Sequence, residues 1–320
     1  MGSKPVLRPP RLTAGSRIGL VSPSGPVLDG DDLARAGELC RELGHEPLLG
    51  VNAHRRHGYL AGTDAERIAD LNAALRDESL DAVWCVRGGY GLTRILDRID
   101  FAPLERRPKA LIGFSDITAL LLAAQRVIRI VGFHAPTARQ PMPPFSRRHF
   151  TQVLARPEPA GRLERREPPA GVLAPRSPRI VKIHGGVAEG TLIGGNLSLL
   201  QCLVGTRWFP DIDGALLFLE DVGEDLYRVD RALSHLRLAG VLERIAGIIV
   251  GQFTDMKLGT GDGALSFGEV LEHYIGPLGI PAAYGFPIGH VDEQWTMPIG
   301  VRARLDADSG QVDILEAAVS

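Results

Sequence analysis

A serine stands where a predicted strand turns into a predicted helix. Ala110 to Phe114 is an apolar run typical of a buried strand, and Ile117 to Gln125 has helical spacing, so Ser115 falls at the corner between them. A hydroxyl there would lie above the carboxyl edge of a parallel sheet, where open α/β folds place their sites. The backbone N–H of Asp116 would begin the helix and could donate to a developing oxyanion. Serine also caps helices, so this segment alone leaves a nucleophile and a cap both open.

A glycine-rich loop follows another predicted strand, Ala82 to Val86. In Arg87-Gly88-Gly89-Tyr90-Gly91 the adjacent glycines would expose backbone N–H groups and let a ligand approach closely. The loop could supply a second oxyanion donor, cradle a phosphate, or form a structural turn. It lacks the G-x-G-x-x-G spacing of a dinucleotide site.

Acidic and imidazole side chains with suitable chemistry occur in the second half. Glu220 and Asp221 end an apolar strand predicted from Ala215, and His290 lies in a glycine- and proline-rich loop. A loop histidine is a candidate general base and a carboxylate its partner. Acidic residues also end strands for solubility or cap the next helix, and the sequence does not show that these groups meet Ser115.

The elements that must position these residues alternate along the first 135 residues. Apolar spacing predicts a helix from Asp31 to Leu43, ending at Gly44, and the Thr63/Glu66 capping box begins another. Val127 to Phe133 is predicted as a further strand. Strands separated by amphipathic helices predict a doubly wound, mostly parallel α/β sheet in a domain spanning residues 1–140.

The composition changes between residues 136 and 178, which hold 10 of the 23 prolines. This predicts a Pro/Arg-rich crossover linker over residues 141–178, with a helix near Arg147 to Leu154. Residues 179–320 are predicted as a mixed α+β domain, with an amphipathic helix from Leu226 to Leu238. Apolar residues alternate from Ile299 to Leu305, which predicts one strand with one solvent-exposed face. Residues 306–310 are predicted as the turn of a hairpin that follows it.

Composition restricts the class of function. The chain has 320 residues and a formal net charge of -2, which gives no bias toward nucleic acid or anionic membranes. Its first residues lack the apolar region of a secretory signal, and no apolar run approaches the roughly 20 residues that span a bilayer. Cys40, Cys85 and Cys202 are scattered, which favours buried thiols in a reducing compartment. We therefore expect a cytoplasmic enzyme with no nucleic-acid or membrane partner.

Several motifs in a fixed order resemble the LD-carboxypeptidase family across almost the whole chain outside the Pro-rich segment. The matching stretches are Ile18-Gly-Leu-Val-Ser-Pro-Ser-Gly25, Gly62-Thr-Asp-Ala-Glu-Arg67, Arg87-Gly-Gly-Tyr-Gly91, Ile112-Gly-Phe-Ser-Asp116, Gly190-Thr-Leu-Ile-Gly-Gly-Asn-Leu197, Leu219-Glu-Asp-Val-Gly-Glu224, Tyr227-Arg-Val-Asp-Arg231, Gly289-His290 and Met297-Pro-Ile-Gly300.

The resemblance implies a serine hydrolase without metal or cofactor. It implies Ser115 as nucleophile, Glu220 and His290 as the rest of a triad, and the amides of Gly88 and Asp116 as oxyanion donors. The family's usual reaction releases the terminal D-alanine of murein tetrapeptides during cytoplasmic recycling of the cell wall. The resemblance also implies a homodimer.

An exopeptidase must recognise a free carboxylate, which an arginine or exposed amides would bind. The candidate arginines are Arg87, Arg228 and Arg231, and Gly89 offers an amide; each arginine could equally form a surface ion pair. His134, at a strand end, could touch the substrate.

Two other readings stay open. A related self-immunity hydrolase acting on peptidyl-nucleotide antibiotics would share the triad and differ in the loops that cover the substrate. A non-catalytic two-domain protein could instead bind a phosphate or sugar through the glycine loop.

Overall fold

A computed structural model describes residues 5–165, 179–257 and 264–320. Its strands are β1 Arg17–Val21, β2 Glu46–Leu49, β3 Ala82–Cys85, β4 Ala110–Gly113, β5 Gly132–His134, β6 Pro159–Arg162, β7 Val181–His184, β8 Val187–Asn196, β9 Leu216–Val222, β10 Gly247–Thr254, β11 Ala282–Tyr284, β12 Met297–Ile299, β13 Arg302–Asp306 and β14 Gln311–Ala317. Its α-helices are α1 Asp32–Glu42, α2 Asp64–Arg76, α3 Ala102–Arg106, α4 Thr118–Ile128, α5 Pro144–Leu154, α6 Leu197–Leu203, α7 Leu226–Leu238 and α8 Phe267–Ile275.

The first sheet has six strands in the order β12-β5-β4-β3-β1-β2. Strands β1 to β5 are parallel, and their order is that of a doubly wound fold with a switch between β1 and β3. Because helices cover both faces of such a sheet, its strands are continuous apolar runs, and β3 and β4 are buried at every position. The predicted fold of this half is confirmed.

The second sheet has eight strands in the order β6-β14-β13-β8-β9-β10-β11-β7. Strands β8 to β11 run parallel, whereas the strands on either side of them are antiparallel. This is the mixed α+β half that the sequence predicts. Helix α7 packs on this sheet with the predicted bounds, Leu226–Leu238.

The proline-rich segment contributes to both sheets. Helix α5 places Phe150 against Trp84 of the first sheet, with ring centroids 5.1 Å apart, while β6 pairs with β14 of the second sheet. The rest of the predicted linker, residues 166–178, lies outside the described residues. The boundaries 1–140, 141–178 and 179–320 stay a prediction.

Two strand predictions were wrong in detail. The segment from Val127 begins as helix, because α4 runs to Ile128 and ends only where Arg129 adopts a left-handed conformation with φ of 55°. The run from Ile299 to Leu305 is two strands, because Gly300, at φ of 99°, turns the chain from β12 in the first sheet to β13 in the second. Only β13 has the alternating burial that was predicted for the whole run.

The three cysteines do not share one environment. Cys40 and Cys85 are buried as predicted, but Cys202 is exposed. Helix α6 buries Leu197, Leu200 and Leu203, which places Cys202 on the solvent side of that helix. Among the described residues, no helix is long and apolar enough to cross a membrane.

Candidate active site

Ser115 lies in a tight turn between β4 and α4. It opens a single 3₁₀ turn, Ser115–Ile117, and its own backbone is left-handed, with φ of 63°. A non-glycine residue in that region is uncommon, and such strain clusters at functional sites. The hydroxyl has no hydrogen-bond partner among the described residues, so it does not cap the helix. The capping alternative is therefore excluded by the structure.

The glycine loop after β3 lies directly against this turn. A Cβ added to Gly88 would come within 2.8 Å of Ser115 Cβ and 3.1 Å of its Oγ, so only glycine fits there. Within the described part of the chain, the Gly88 amide has no hydrogen-bond acceptor. The Asp116 amide lies in the first turn of a helix, where N–H groups have no intrahelical acceptor. Two amides without a hydrogen-bond acceptor among the described residues therefore lie next to Ser115.

Glu220 and His290 form a hydrogen-bonded pair, with 2.8 Å between Oε2 and Nδ1. Glu220 has no exposed surface, whereas the His290 side chain is 21% exposed. Gly289 permits this approach: its φ is 105°, and a Cβ there would lie 2.5 Å from Glu220 Oε2. The loop that carries the histidine thus rests directly on the carboxylate.

A closed chain of contacts joins this pair to the serine turn. Thr118, three residues after Ser115, accepts a hydrogen bond from the Asn196 amide at 3.1 Å, and Asn196 is in register with Glu220 on the neighbouring strand. From the other side, the ring of Phe114 packs on His290 with 4.7 Å between centroids. The carboxyl ends of β4 in one sheet and β9 in the other therefore meet at one place.

The proton arrangement of the pair follows from its chemistry. An ionised carboxylate only accepts hydrogen bonds, so Nδ1 of His290 donates to it, and Nε2 is an acceptor whenever the imidazole is neutral. Complete burial raises the pKa of Glu220, and the hydrogen bond with His290 opposes that rise. The neighbouring Asp221 has a different role, because its carboxylate accepts from the amide and hydroxyl of Ser198 at the start of α6.

Both halves of the chain match family models. Residues 18–135 match the LD-carboxypeptidase N-terminal domain and residues 189–305 match the LD-carboxypeptidase C-terminal domain. The chain belongs to the LD-carboxypeptidase family.

Three relatives of this chain illustrate the range of proteins to which it is similar. The probable murein peptide carboxypeptidase of Bacillus subtilis is 36% identical over 318 residues, covering 98% of this chain and 95% of the relative. The crystal structure of muramoyltetrapeptide carboxypeptidase from Oxalobacter formigenes superposes with a TM-score of 0.79 at 32% identity, over 94% of this chain and 99% of the other. The microcin C7 self immunity protein MccF, in its wild-type apo state, superposes with a TM-score of 0.89 at 26% identity, over 98% and 100%.

His134 is buried behind the candidate site. Its ring packs edge-on against Phe114 and Phe218, and neither ring nitrogen has a hydrogen-bond partner among the described residues. Burial, followed by the charge of His290, lowers the pKa of His134 to about 3, so the ring is neutral. Since it has no exposed surface, the expected contact of His134 with substrate is not part of our proposal.

The candidate arginines fall into two places. Arg87 is half-buried beside the glycine loop and donates to the Pro26 carbonyl, and burial lowers its pKa. Arg228 and Arg231 are exposed near the start of α7, with the Tyr227 ring between 5.5 and 5.8 Å from their guanidinium carbons. Arg228 also forms ion pairs with Glu224 and Asp225 at the start of its own helix, as expected if its role is a surface ion pair.

Gly89 lies against another loop. A Cβ on Gly89 would come within 3.1 Å of Gly25 Cα, so the two loops after β1 and β3 are in contact there. Across residues 5–165, 179–257 and 264–320, no three His, Cys, Asp or Glu side chains are grouped as metal ligands.

Proposed function

We propose that this chain is a serine-type LD-carboxypeptidase that releases the terminal D-alanine of murein tetrapeptides. The observation that carries the proposal is the hydrogen-bonded Glu220–His290 pair lying against the turn in which Ser115 is held with its hydroxyl free. Family membership supplies the reaction class, and relatives named as murein peptide carboxypeptidases supply the substrate.

In this proposal each side chain acts at one stated atom. Nε2 of His290 takes the proton of Ser115 as Oγ attacks the scissile carbonyl, and then gives it to the departing amine of D-alanine. Glu220 fixes the Nδ1–H tautomer and stabilises the imidazolium that forms in between. A water activated by the same imidazole then hydrolyses the acyl-enzyme.

The amides of Gly88 and Asp116 are the proposed oxyanion donors. Their N–H groups flank the hydroxyl, so they would stabilise the negative charge that develops on the carbonyl oxygen. For the leaving residue's carboxylate, Arg87 is the proposed partner because it lies next to Gly88 and is half-buried, which strengthens its attraction for an anion. Arg228, Arg231 and the Gly89 amide remain further candidates. A cytoplasmic location and a homodimer belong to the same proposal.

A peptidyl-nucleotide hydrolase is the second candidate. It is favoured by one observation: the backbone superposes on the MccF self immunity protein with a TM-score of 0.89, above the 0.79 of the Oxalobacter carboxypeptidase. The sequence identities, 36% to the Bacillus relative and 26% to MccF, favour the murein substrate.

One assay separates the candidates. The purified protein is incubated in parallel with murein tetrapeptide and with an aminoacyl sulfamoyl adenosine, and release of D-alanine or of the amino acid is measured. We expect D-alanine release and labelling of Ser115 by a fluorophosphonate probe. Turnover of the nucleotide alone would favour the second candidate. Ligand binding with neither turnover nor labelling would favour a non-catalytic binding protein.

A further inference from the structure

Arg67 is a completely buried arginine that the reaction itself does not use. Its side chain is 0% exposed, and its guanidinium donates to the carbonyls of Pro23 and Gly91 and to the carboxylate of Asp64. Its Nε has no partner in the described part of the chain. A buried charge with an unsatisfied N–H costs free energy, so stability alone is a poor reason for an arginine here.

The bonds of Arg67 all end on segments that surround the glycine loop. Pro23 follows β1, Gly91 ends the glycine loop, and Asp64 begins α2. A Cβ on Gly91 would lie 2.8 Å from Arg67 Nη1, so the arginine fills the space that this glycine leaves. One guanidinium therefore fixes the far end of the loop whose near end carries the Gly88 amide.

Asp116 holds the same loop from the opposite side. Its side chain is buried, and Oδ2 accepts a hydrogen bond from the Leu92 amide at 2.9 Å. Burial raises the pKa of Asp116, and the nearby positive charge of Arg67 opposes that rise. Because Asp116 directly follows Ser115, its carboxylate couples the nucleophile turn to the loop.

Further contacts hold the loop between these anchors. The Gly88 carbonyl accepts from the Gly25 amide at 3.0 Å, and Gly88 itself is in contact with Ser115. A shift of Gly91 or Leu92 would therefore turn the peptide that presents the Gly88 N–H. An oxyanion donor is effective only when it lies about 2.7–3.1 Å from the developing charge.

We propose that Arg67 and Asp116 are positioning residues that hold the Gly88 amide at a fixed position relative to the Ser115 hydroxyl. This inference rests on the proposed function, since it assumes that Gly88 is an oxyanion donor. Neither side chain touches the substrate. Their effect is on the transition state and not on the bound substrate, because the carbonyl oxygen becomes charged only after attack.

The test is Arg67→Met, which keeps an unbranched apolar stem at this position and removes the donors. Removing one oxyanion donor outright costs about 10²–10³-fold in kcat, so displacing it is expected to lower kcat about 10- to 100-fold with KM nearly unchanged. The Ki of a peptidyl boronic acid, whose tetrahedral adduct uses the same amides, should rise in parallel. Titration with a fluorophosphonate gives the fraction of the protein that has a reactive site. The kcat values are then calculated for that fraction alone, so misfolded protein does not affect the comparison.

Asp116 gives an independent pair of variants. Asp116→Asn keeps an oxygen that can accept from the Leu92 amide, so its loss of kcat should be smaller than that of Asp116→Ala, which should lower kcat and weaken boronate binding as Arg67→Met does. Arg76→Ala is the matched control, since Arg76 lies on the same helix but is exposed and pairs only with Asp100 among the described residues.

Two results would overturn the inference. One is wild-type kcat and boronate Ki in folded Arg67→Met and Asp116→Ala. The other is a loss fully accounted for by a lower titratable fraction of active sites. The proposed function fails separately, if Ser115→Ala retains D-alanine release or if the probe labels another residue.

Discussion

At the scale of single residues, Ser115 combines chemistry with backbone strain. Its φ of 63° costs an L-residue about 1–2 kcal/mol, and glycine would avoid that cost. The strain persists because Phe114 before it and α4 after it are both packed into the core. In the proposed mechanism the strained turn holds the hydroxyl beside the amides of Gly88 and Asp116, which would act as oxyanion donors.

Replacing Ser115 separates these two properties. Ser115→Ala and Ser115→Gly should both lower kcat by about 10⁴-fold or more, because both remove the proposed nucleophile. Ser115→Gly should also be more stable to urea than Ser115→Ala by about 1 kcal/mol, because glycine tolerates the left-handed backbone. D-alanine release and urea unfolding measure the two effects. Equal stability of the two variants would argue against strain at this residue.

Substitutions of Glu220 and Asp221, the adjacent carboxylates of β9, should have different effects. The first should lower activity and the second should lower stability. Glu220→Gln keeps the shape of the side chain but can donate to Nδ1 of His290, which favours the wrong tautomer, so kcat should fall about 10³- to 10⁴-fold. Asp221→Asn weakens the bonds to Ser198 and should cost about 1–3 kcal/mol of stability while kcat changes only a few-fold. The opposite pattern would assign the catalytic carboxylate to Asp221.

At the scale of elements, the loop that carries His290 depends on one glycine. Gly289→Ala would bring a methyl group within 2.5 Å of Glu220 Oε2, so the loop must move and the pair must separate. We expect at least about 100-fold lower kcat/KM. Gly240→Ala is the control: its φ is also positive, at 67°, but no atom lies within 4 Å of the added Cβ. It should cost about 1 kcal/mol of stability and leave kcat/KM unchanged.

Local sequence patterns predicted the bounds of an element well where no tertiary contact opposed them. The capping box of Thr63 and Glu66 forms as expected, and α7 has its predicted bounds. Sequence reasoning failed where tertiary contacts override a local pattern. The β-branched residues after Val127 suggested a strand, but α4 continues for another turn because its buried face packs under the sheet. Apolar residues alternate through Gly300 as they would in a single strand, but the chain passes there from the first sheet to the second. No local pattern in the sequence indicates that change.

The site was predictable in its parts and not in its assembly. A serine at a strand–helix corner and a glycine loop can be read from local patterns. The Glu220–His290 bond joins residues 70 apart in the chain and depends on how two strands lie side by side, which spacing does not encode. The contacts of Arg67 were missed for the same reason, although the motif that contains it was recognised. Its position four residues after the Thr63 cap, on the buried side of a helix start, was the available signal.

At the scale of the whole molecule, buried His134 should make the fold sensitive to acid. Its pKa is about 3 in the folded protein and about 6.5 in the unfolded chain, so the unfolded state binds more protons between these values. Stability therefore falls as pH falls through that window, by about 2 kcal/mol between pH 7 and pH 5 from this residue.

Urea unfolding at pH 7 and pH 5 measures this contribution. His134→Leu should reduce the loss of stability between the two pH values by about 2 kcal/mol relative to wild type. His54→Leu replaces an exposed histidine and should leave the loss as it is in wild type. An unchanged pH dependence in His134→Leu would show that the ring is not held neutral by burial.

Strand β12 follows the strands β6 to β11 of the second sheet in the sequence but belongs to the first sheet, and this affects the order in which the first sheet is completed during synthesis. Strand β12, residues 297–299, forms the edge of the first sheet beside β5, although it is synthesised long after the other strands of that sheet. A nascent chain that stops before it leaves β5 as an open edge, even when all residues up to Ser115 and His290 are present. Residues 297–299 therefore complete a sheet whose other strands are synthesised earlier, so the surroundings of Ser115 are complete only after β12 has been made.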